Sequence, residues 1–304
     1  MSRNVIAIVG PTASGKSELA VKIAKKLKGE IISADSRQIY KGLDIGTGKM
    51  KGRWILKSGK KLFFYKGVSH YLVDEISPKR DFSAGEFKNR AEKIIDDIRG
   101  RGLVPIVVGG TNFWIDALLR GTVLPNVSPN KKLRRALKRK TAAELFRMLE
   151  TLDSRRAKSI DPKNPRRLIR AIEIARALGR VPRAKKALTY RAFWIGIDMP
   201  TSVLKANLKK RATRMIAQGL LAETKSLAAK QVSKKRLRTL GLEYSLSLDI
   251  LAGALEKKKF ASALTARDLR YAKKQLAWLE KNPDIRWVKT KNEGLGLVRK
   301  FTKL

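Results

Sequence analysis

The chain has 304 residues, which is long enough for a large hydrophobic core and for two domains. It has no cysteine, which excludes disulfides and thiolate metal sites, and no apolar run long enough to span a bilayer, so we expect a cytoplasmic protein without a membrane partner. Lys and Arg number 69 against 26 Asp and Glu, and the net charge of +43 favours a polyanionic partner such as nucleic acid.

The positive charge is unevenly distributed. Residues 1–120 carry 23 basic and 12 acidic side chains, a net charge of +11, whereas residues 121–304 carry 46 and 14, a net charge of +32. A host whose proteins are all basic would explain part of this excess, but it would not explain why the first 120 residues are spared. We therefore expect the later part of the chain to carry most of the nucleic-acid contacts.

The first predicted element is a phosphate-binding loop. Residues 10–17 fit the pattern G-x-x-x-x-G-K-[ST], directly after the apolar run at 5–9 and directly before a helical pattern. This strand, glycine turn and helix order is the context in which backbone N–H groups surround phosphate oxygens. Lys16 would reach the outer phosphate and Ser17 would ligate Mg²⁺. The predicted diphosphate-binding residues are Gly10, Pro11, Thr12, Ala13, Ser14, Gly15, Lys16 and Ser17.

Short apolar runs alternate with helical patterns along the chain, which predicts an α/β fold with a P-loop NTPase-like, doubly wound parallel sheet. The predicted strands are residues 5–9, 30–34, 71–76, 104–108, 193–197 and 285–288, and Lys51–Gly67 forms an added hairpin with its turn at Ser58–Lys60. A proline-containing linker at 125–129 precedes a basic helical stretch from 131 to about 186, and residues 201–285 are again helical. We expect a core of residues 1–125 and 189–304, with a helical part at its C-terminal end, and an inserted, basic helical domain at 126–188.

Candidate chemical groups follow two of these strands. The strand at 104–108 ends in Gly109-Gly110-Thr111, so the usual Walker B carboxylate is missing there, whereas the strand at 30–34 is followed by Asp35. Carboxyl ends of parallel strands meet at one edge of a sheet, so Asp35 should lie beside the phosphate-binding loop as a general base or an Mg²⁺ anchor. The alternative is that Asp35 only caps a helix.

Other residues give weaker signals. His70, the single histidine, precedes an apolar run and is expected to be structural. Trp278 and Trp287 are expected in the core rather than as platforms for bases. Arg211 and Arg214, like Arg167 and Arg170, have the helical spacing that can clamp phosphates, although solvated charge is the ordinary interpretation of such pairs.

Several segments together resemble one family, the tRNA dimethylallyltransferases or tRNA isopentenyltransferases. The most specific is Asp35–Thr47, which follows the pattern Asp-Ser-x-Gln-[IV]-Tyr-x-Gly-x-Asp-Ile-Gly-Thr. The phosphate-binding loop and five further segments complete the match, and they lie at 70–74, 82–84, 108–114, 161–171 and 271–278. The resemblance therefore extends over most of the chain.

The resemblance implies transfer of a dimethylallyl group from its diphosphate to N6 of the adenosine 3′ to the tRNA anticodon. It implies catalytic roles for Asp35, Thr111 and Arg211, with Mg²⁺ on Ser17, and a monomer that binds the anticodon stem-loop. Asp35 would accept the proton of the amine, and the target adenine would be flipped out of its stack. The implied tRNA contacts are Asp35, Ser36, Arg37, Gln38, Thr111, Arg134, Arg166, Arg167, Leu168, Ile169, Arg170 and Arg238.

The chain departs from the family pattern in places. The segment Lys51–Gly67 is longer than usual, Asn207 and Arg37 replace the common residue types, and residues 238–243 differ from the usual Gly-Tyr-[KR]-Glu motif. Three other functions remain open on the sequence: a P-loop kinase or NTPase, an isopentenyltransferase that uses free AMP or ADP, and an RNA-binding protein with a decayed site. The absent Walker B carboxylate argues against the first, the charge against the second, and the intact site residues against the third.

Overall fold

The computed structural model describes residues 4–57, 59–122, 124–183 and 190–301. It contains eight strands, β1 Asn4–Val9, β2 Gly29–Ser33, β3 Arg53–Lys57, β4 Lys60–Tyr65, β5 Val68–Tyr71, β6 Val104–Val108, β7 Arg191–Ile197 and β8 Arg286–Val288. They form one sheet in the order β3-β4-β5-β2-β6-β1-β7-β8. The pairs from β5 to β8 are parallel, and β3 and β4 add an antiparallel hairpin at one edge. The predicted α/β fold with its parallel sheet is confirmed.

The helices follow the strands along the chain. They are α1 Lys16–Leu27, α2 Ala84–Gly100, α3 Asn112–Leu119, α4 Lys131–Leu137, α5 Ala142–Leu152, α6 Ser154–Ala157, α7 Pro165–Leu178, α8 Thr201–Ala217, α9 Leu220–Ala229, α10 Lys234–Leu240, α11 Leu242–Leu251, α12 Phe260–Leu279 and α13 Lys291–Phe301. Among the residues described, no helix is both long and apolar enough to cross a membrane.

The chain forms two compact units, one of Met1–Arg120 with Leu188–Leu304 and one of Gly121–Ala187. In the first unit, neighbouring strand residues point to opposite faces of the sheet. Ile31 and Ile106 pack with α1 and α13 on one face, whereas Ile32 and Val107 pack on the other face with α2, α3 and helices from the second half of the chain. Both faces are buried, as expected for a parallel sheet, and only the strand ends remain for binding.

The second unit has its own core. Leu137, Leu145, Leu149, Leu168 and Ile172 are buried together, which explains the helical spacing of apolar residues in this segment. Local signals set where its helices begin. Thr141 and Glu144 form a capping box at α5, and the Asn164 side chain caps α7, in which Pro165 occupies the first turn.

The structure corrects two predictions. The strand predicted at 71–76 is Val68–Tyr71, and it stops there because Leu72 and Asp74 adopt positive φ values of 60° and 56°. Trp278 and Trp287 are not core residues, since 37% and 38% of their surfaces are exposed. The hairpin predicted over 51–67 is present as β3 and β4, although Ser58 of its predicted turn lies outside the described residues.

Candidate active site

The phosphate-binding loop connects β1 to α1 at the carboxyl edge of the sheet. Gly15 has a φ of 86°, which an L side chain adopts rarely, and α1 begins at the next residue, Lys16. The N–H groups of this first turn have no partner within the helix and attract an anion. Inside the loop, the buried Ser14 hydroxyl has no hydrogen-bond partner within the described part of the chain. The loop therefore offers several donors to a phosphate group.

The Lys16 ammonium connects this loop to two other charged groups. Its Nζ donates to the Pro11 carbonyl at 3.3 Å. Burial lowers the pKa of Lys16 to about 8, the Asp35 carboxylate opposes this decrease, and the Arg211 guanidinium adds to it. Lys16, Asp35 and Arg211 therefore interact electrostatically at one site, although they are far apart in the sequence.

Asp35 and Thr111 lie at the ends of the adjacent strands β2 and β6. Asp35 Oδ1 accepts from the N–H groups of Arg37 at 2.8 Å and Gln38 at 3.2 Å, so this carboxylate caps a turn. Its Oδ2 has no hydrogen bond to another described residue. The Thr111 hydroxyl accepts from the Ser36 N–H at 3.0 Å. The structure thus orients the Asp35 carboxylate through one oxygen and leaves the other to accept a proton.

Arg211, on α8, is held between two carboxylates. Its Nη1 donates to Asp268 at 3.0 Å and its Nη2 donates to Glu243 at 3.1 Å, and only 13% of its side chain is exposed. Burial and the neighbouring Glu243 raise the pKa of Asp268 to about 7, despite the opposing effect of Arg211. The guanidinium is therefore fixed in direction before any ligand binds.

The loop beside Arg211 is fixed by Glu223 on α9. The carboxylate of this residue accepts from the N–H groups of Asp44, Ile45 and Gly46 at 2.7–3.0 Å, and from the Tyr244 hydroxyl at 2.7 Å. The loop continues to Gly48, where an added Cβ would lie 3.4 Å from Arg211 Nε. Backbone thus lines the guanidinium on the side of this loop.

Gln275, on α12, joins the phosphate-binding loop to the loop that carries Thr111. Its Oε1 accepts from the Thr12 N–H at 3.1 Å and its Nε2 donates to the Gly110 carbonyl at 2.7 Å. A Cβ at Gly110 would lie 2.6 Å from this amide nitrogen, and one at Gly109 would lie 2.2 Å from the Ala34 carbonyl oxygen. Gly109 therefore permits the close approach of the backbone that follows β2, and Gly110 leaves room for the Gln275 side chain.

Sequence reasoning assigned no role to four residues of this site, Glu243, Asp268, Tyr271 and Gln275. Tyr271 is 46% exposed, and its pKa is raised by desolvation and by the charge of Asp35, which places the ring near that carboxylate. Tyr271 and Gln275 lie inside the motif at 271–278, which was a usable signal. No local pattern indicated the acidic partners of Arg211.

The predicted tRNA contacts have different surroundings. Arg134 and Arg170 both pair with Glu173, whose side chain is 2% exposed, at 2.6 and 2.5 Å. Leu168 and Ile169 are buried in the core of the second unit, so their side chains are not at a surface that RNA could contact. Arg166 and Arg167 are exposed and have no ion pair among the described residues.

The predicted tRNA-contact residues of the first unit form hydrogen bonds or ion pairs within the protein. Arg37 donates to the Thr239 carbonyl at 2.7 Å, and Gln38 Nε2 lies 3.4 Å from the Thr47 carbonyl. Arg238 pairs with Asp249 at 2.7 Å. Ser36 is held by Thr111, as described above. Ser36, Arg37 and Gln38 directly follow Asp35 in the chain, and each is hydrogen-bonded to another part of the first unit.

The fold and the loop geometry define a P-loop α/β protein whose strand-end carboxylate follows β2. Comparison with known families is more specific. The family model described as IPP transferase matches residues 38–282, and one described as Isopentenyl transferase matches residues 3–67. The chain belongs to the IPP transferase family.

Individual relatives agree with this assignment. The chain is 35% identical over 290 residues to a tRNA dimethylallyltransferase of Thermomicrobium roseum, covering 93% of this chain and 85% of the relative. It is 38% identical over 298 residues to one from Chlorobaculum parvum, covering 94% and 92%. Its structure matches the crystal structure of a tRNA isopentenylpyrophosphate transferase from Staphylococcus epidermidis with a TM-score of 0.69 and 30% identity, over 99% of both chains.

Proposed function

We propose that this protein transfers the dimethylallyl group of dimethylallyl diphosphate to N6 of adenosine-37, the nucleotide 3′ to the anticodon of tRNA. The names of its relatives support this reaction. The observation that carries the proposal is the placement of Lys16, in the phosphate-binding loop, within electrostatic range of both the Asp35 carboxylate and the Arg211 guanidinium. The Asp35 carboxylate can accept a proton, and the nearby Lys16 and Arg211 cations can stabilise a leaving diphosphate.

The reaction exchanges one bond to carbon for another. The bond between the allylic C1 and the diphosphate oxygen breaks, and a bond between N6 and C1 forms. The phosphate-binding loop, Lys16 and Arg211 stabilise the negative charge that develops on the departing diphosphate. Asp35 Oδ2 accepts the proton that N6 loses, while Oδ1 remains bonded to the turn. The Thr111 hydroxyl keeps Ser36, and through it the Asp35 turn, in place.

Mg²⁺ fits this site as an ion carried by the substrate. No group of three or more His, Asp or Glu residues suited to a metal occurs in the described part of the chain. Mg²⁺ usually retains several waters and binds substrate phosphates with only one or two protein ligands, so the Ser17 hydroxyl is the ligand that we assign to it. When bound, the ion supplies further charge neutralisation to the diphosphate.

We assign tRNA binding to exposed cations and to one aromatic ring. Arg166 and Arg167 would contact phosphates, which contribute affinity rather than sequence specificity. The half-exposed Tyr271 ring near Asp35 is suited to stack on a base that has left the helix. We propose that the protein acts as a monomer.

The test is a transfer assay with radiolabelled dimethylallyl diphosphate and Mg²⁺. An anticodon stem-loop and AMP are offered separately to the wild type and to Asp35→Asn. We expect label in the stem-loop, and a fall in the single-turnover rate of about 10³-fold in the variant, the size of a lost general base. The Kd of the stem-loop should change less than about threefold, because phosphate contacts dominate binding.

Two outcomes would contradict the proposal. Label that enters AMP but not the stem-loop would assign the chain to the enzymes that act on free nucleotides. Label in neither acceptor would contradict the proposal that this protein transfers a dimethylallyl group. An Asp35→Asn variant with the wild-type rate would keep the reaction but remove Asp35 as its base.

A further inference from the structure

The β3–β4 hairpin, residues 51–67, has no role in the reaction described above. It is strongly basic, with six Lys or Arg residues and no Asp or Glu among its 17 residues. These six charges account for more than half of the net charge of +11 carried by residues 1–120. More than half of the net positive charge of residues 1–120 therefore lies in a single edge hairpin.

Three of these cations have no acidic partner in the part of the chain that the structure describes. Lys51, Arg53 and Lys61 are exposed and form no ion pair with another described residue, although Lys61 lies over the Trp54 ring at 5.7 Å. By contrast, Lys66 pairs with Glu18 at 2.7 Å. Unpaired, solvated cations are the groups that can release counterions when they meet a phosphate backbone.

The base of the hairpin forms a groove with mixed basic and aromatic walls. Its volume is about 350 Å³, and Lys51, Arg53, Lys66 and Phe64 are among its lining residues. Phe64 is directly opposite Arg53 in the antiparallel ladder. Cations that alternate with an aromatic face are typical of surfaces that bind the nucleic-acid backbone and its bases.

The strand register places the hairpin turn at the carboxyl edge of the sheet, the edge where Lys16, Asp35 and Thr111 lie. His70 of β5 pairs with both Phe63 of β4 and Ile31 of β2, and from Phe63 the β4 strand extends three more residues towards the turn. The turn therefore lies at the level of the carboxyl end of β2, after which Asp35 follows, whereas Arg53 and the groove lie at the other end of the hairpin, level with the start of β2. With strands about 4.8 Å apart, β3 and β4 lie roughly 10–15 Å to the side of β2.

Hydrogen bonds connect the hairpin to the segment that carries Asp35. Trp54 Nε1 donates to Asp74 at 3.2 Å, and Lys49, which directly precedes the hairpin region, pairs with the same carboxylate at 2.7 Å. The Asp74 N–H in turn donates to the Gln38 carbonyl at 2.9 Å. The hairpin thus has a fixed position relative to residues 35–38.

We infer that the β3–β4 hairpin is an RNA-contact surface that binds backbone phosphates of the tRNA beyond the reacting nucleotide. This inference rests on the proposed function, because it extends the contact area of the same tRNA. The lysines have a competing explanation, since β3 is an edge strand and lysines on edge strands prevent edge-to-edge association.

The test compares two triple variants with the same loss of charge. The hairpin variant is Lys51→Gln/Arg53→Gln/Lys61→Gln, and the control is Lys22→Gln/Lys25→Gln/Lys26→Gln, which removes three exposed lysines from α1. The Kd of a fluorescent anticodon stem-loop is measured for both variants from 50 to 250 mM salt. We expect the hairpin variant to bind roughly 10- to 30-fold more weakly than the control near 150 mM salt, with a salt slope about 2 to 3 smaller.

The KM for tRNA should rise in parallel, whereas the KM for dimethylallyl diphosphate should not change. Equal Kd values and salt slopes in the two variants would overturn the inference, and self-association of the hairpin variant with a wild-type Kd would assign the lysines to edge protection. If the wild type transfers label to the stem-loop and the variants bind it equally, this inference alone fails. If the wild type labels only AMP, the proposed function fails first.

Discussion

Arg211 at the carboxyl edge of the sheet in the first unit has surroundings opposite to those of Arg166 and Arg167 on α7 of the second unit. Arg211 is 13% exposed between two carboxylates, and its direction is fixed before a ligand arrives. Arg166 and Arg167 point into solvent, while Arg170, on the same helix, holds the buried Glu173. The net charge calculated from the sequence gives all four arginines the same weight. Their partners separate a cation held rigidly between two carboxylates, one that holds a buried carboxylate, and two that are exposed with no ion pair among the described residues.

The largest structural effect should come from Glu173→Ala, which removes the shared partner of Arg134 and Arg170. We expect the second unit to lose about 2 kcal/mol of stability, less than for a fully buried pair because both arginines can turn towards water. Hydrogen exchange of peptides from residues 131–178 measures this loss of stability. Tryptophan fluorescence would not report on it, because the tryptophans all lie in the first unit.

The matched control for this variant is Arg166→Ala/Arg167→Ala on the same unit. It should leave exchange within about 0.5 kcal/mol of the wild type but raise the KM for tRNA, by roughly threefold for each lost contact. The contrast between paired and free arginines is wrong if both variants destabilise the unit equally.

A smaller effect is expected from Gln275→Glu at the reaction edge. The carboxylate can still accept from the Thr12 N–H, but it cannot donate to the Gly110 carbonyl, and one buried hydrogen bond becomes a repulsive contact. We expect the KM for dimethylallyl diphosphate to rise about tenfold, with an unchanged Kd for the stem-loop. Gln218→Glu, at the exposed residue that caps the C-terminus of α8, adds the same charge and should change neither constant.

The smallest effect concerns Asp268, whose pKa is raised from 3.8 to about 7 by burial and by Glu243. A carboxyl with a raised pKa in the folded state contributes stability that is complete below pH 3.8 and is lost as the pH rises through 7. Asp268→Asn cannot ionise, so its Tm should increase relative to that of the wild type between pH 5 and pH 8. A Tm difference that is independent of pH would contradict this assignment.

The sequence predicted those parts of the molecule that depend on local pattern. Alternating apolar runs indicated the parallel sheet, and the motif at 10–17 lies on the β1–α1 turn as expected. Asp35 and Thr111 could be placed together because parallel strands share one carboxyl edge.

Contacts between distant residues could not be predicted in this way. Thr12 and Gln275 are 263 residues apart, and Arg211 and Asp268 are 57 apart, so no spacing connects them. The family resemblance assigned tRNA contacts to consecutive residues of the motif at 161–171 without distinguishing them. Only the fold shows that Arg166 and Arg167 are exposed whereas Leu168 and Ile169 are buried.

The Glu223 carboxylate has a consequence for motion in the site. It accepts hydrogen bonds from three successive backbone N–H groups of the loop at 44–46 and from the hydroxyl of Tyr244 on α11. Opening this loop would leave the Glu223 carboxylate without three of these four donors, so we expect opening to cost more free energy than for a loop held by a single hydrogen bond. The backbone beside Arg211 is therefore tied to both α9 and α11 and should be among the slower-exchanging loops of the first unit.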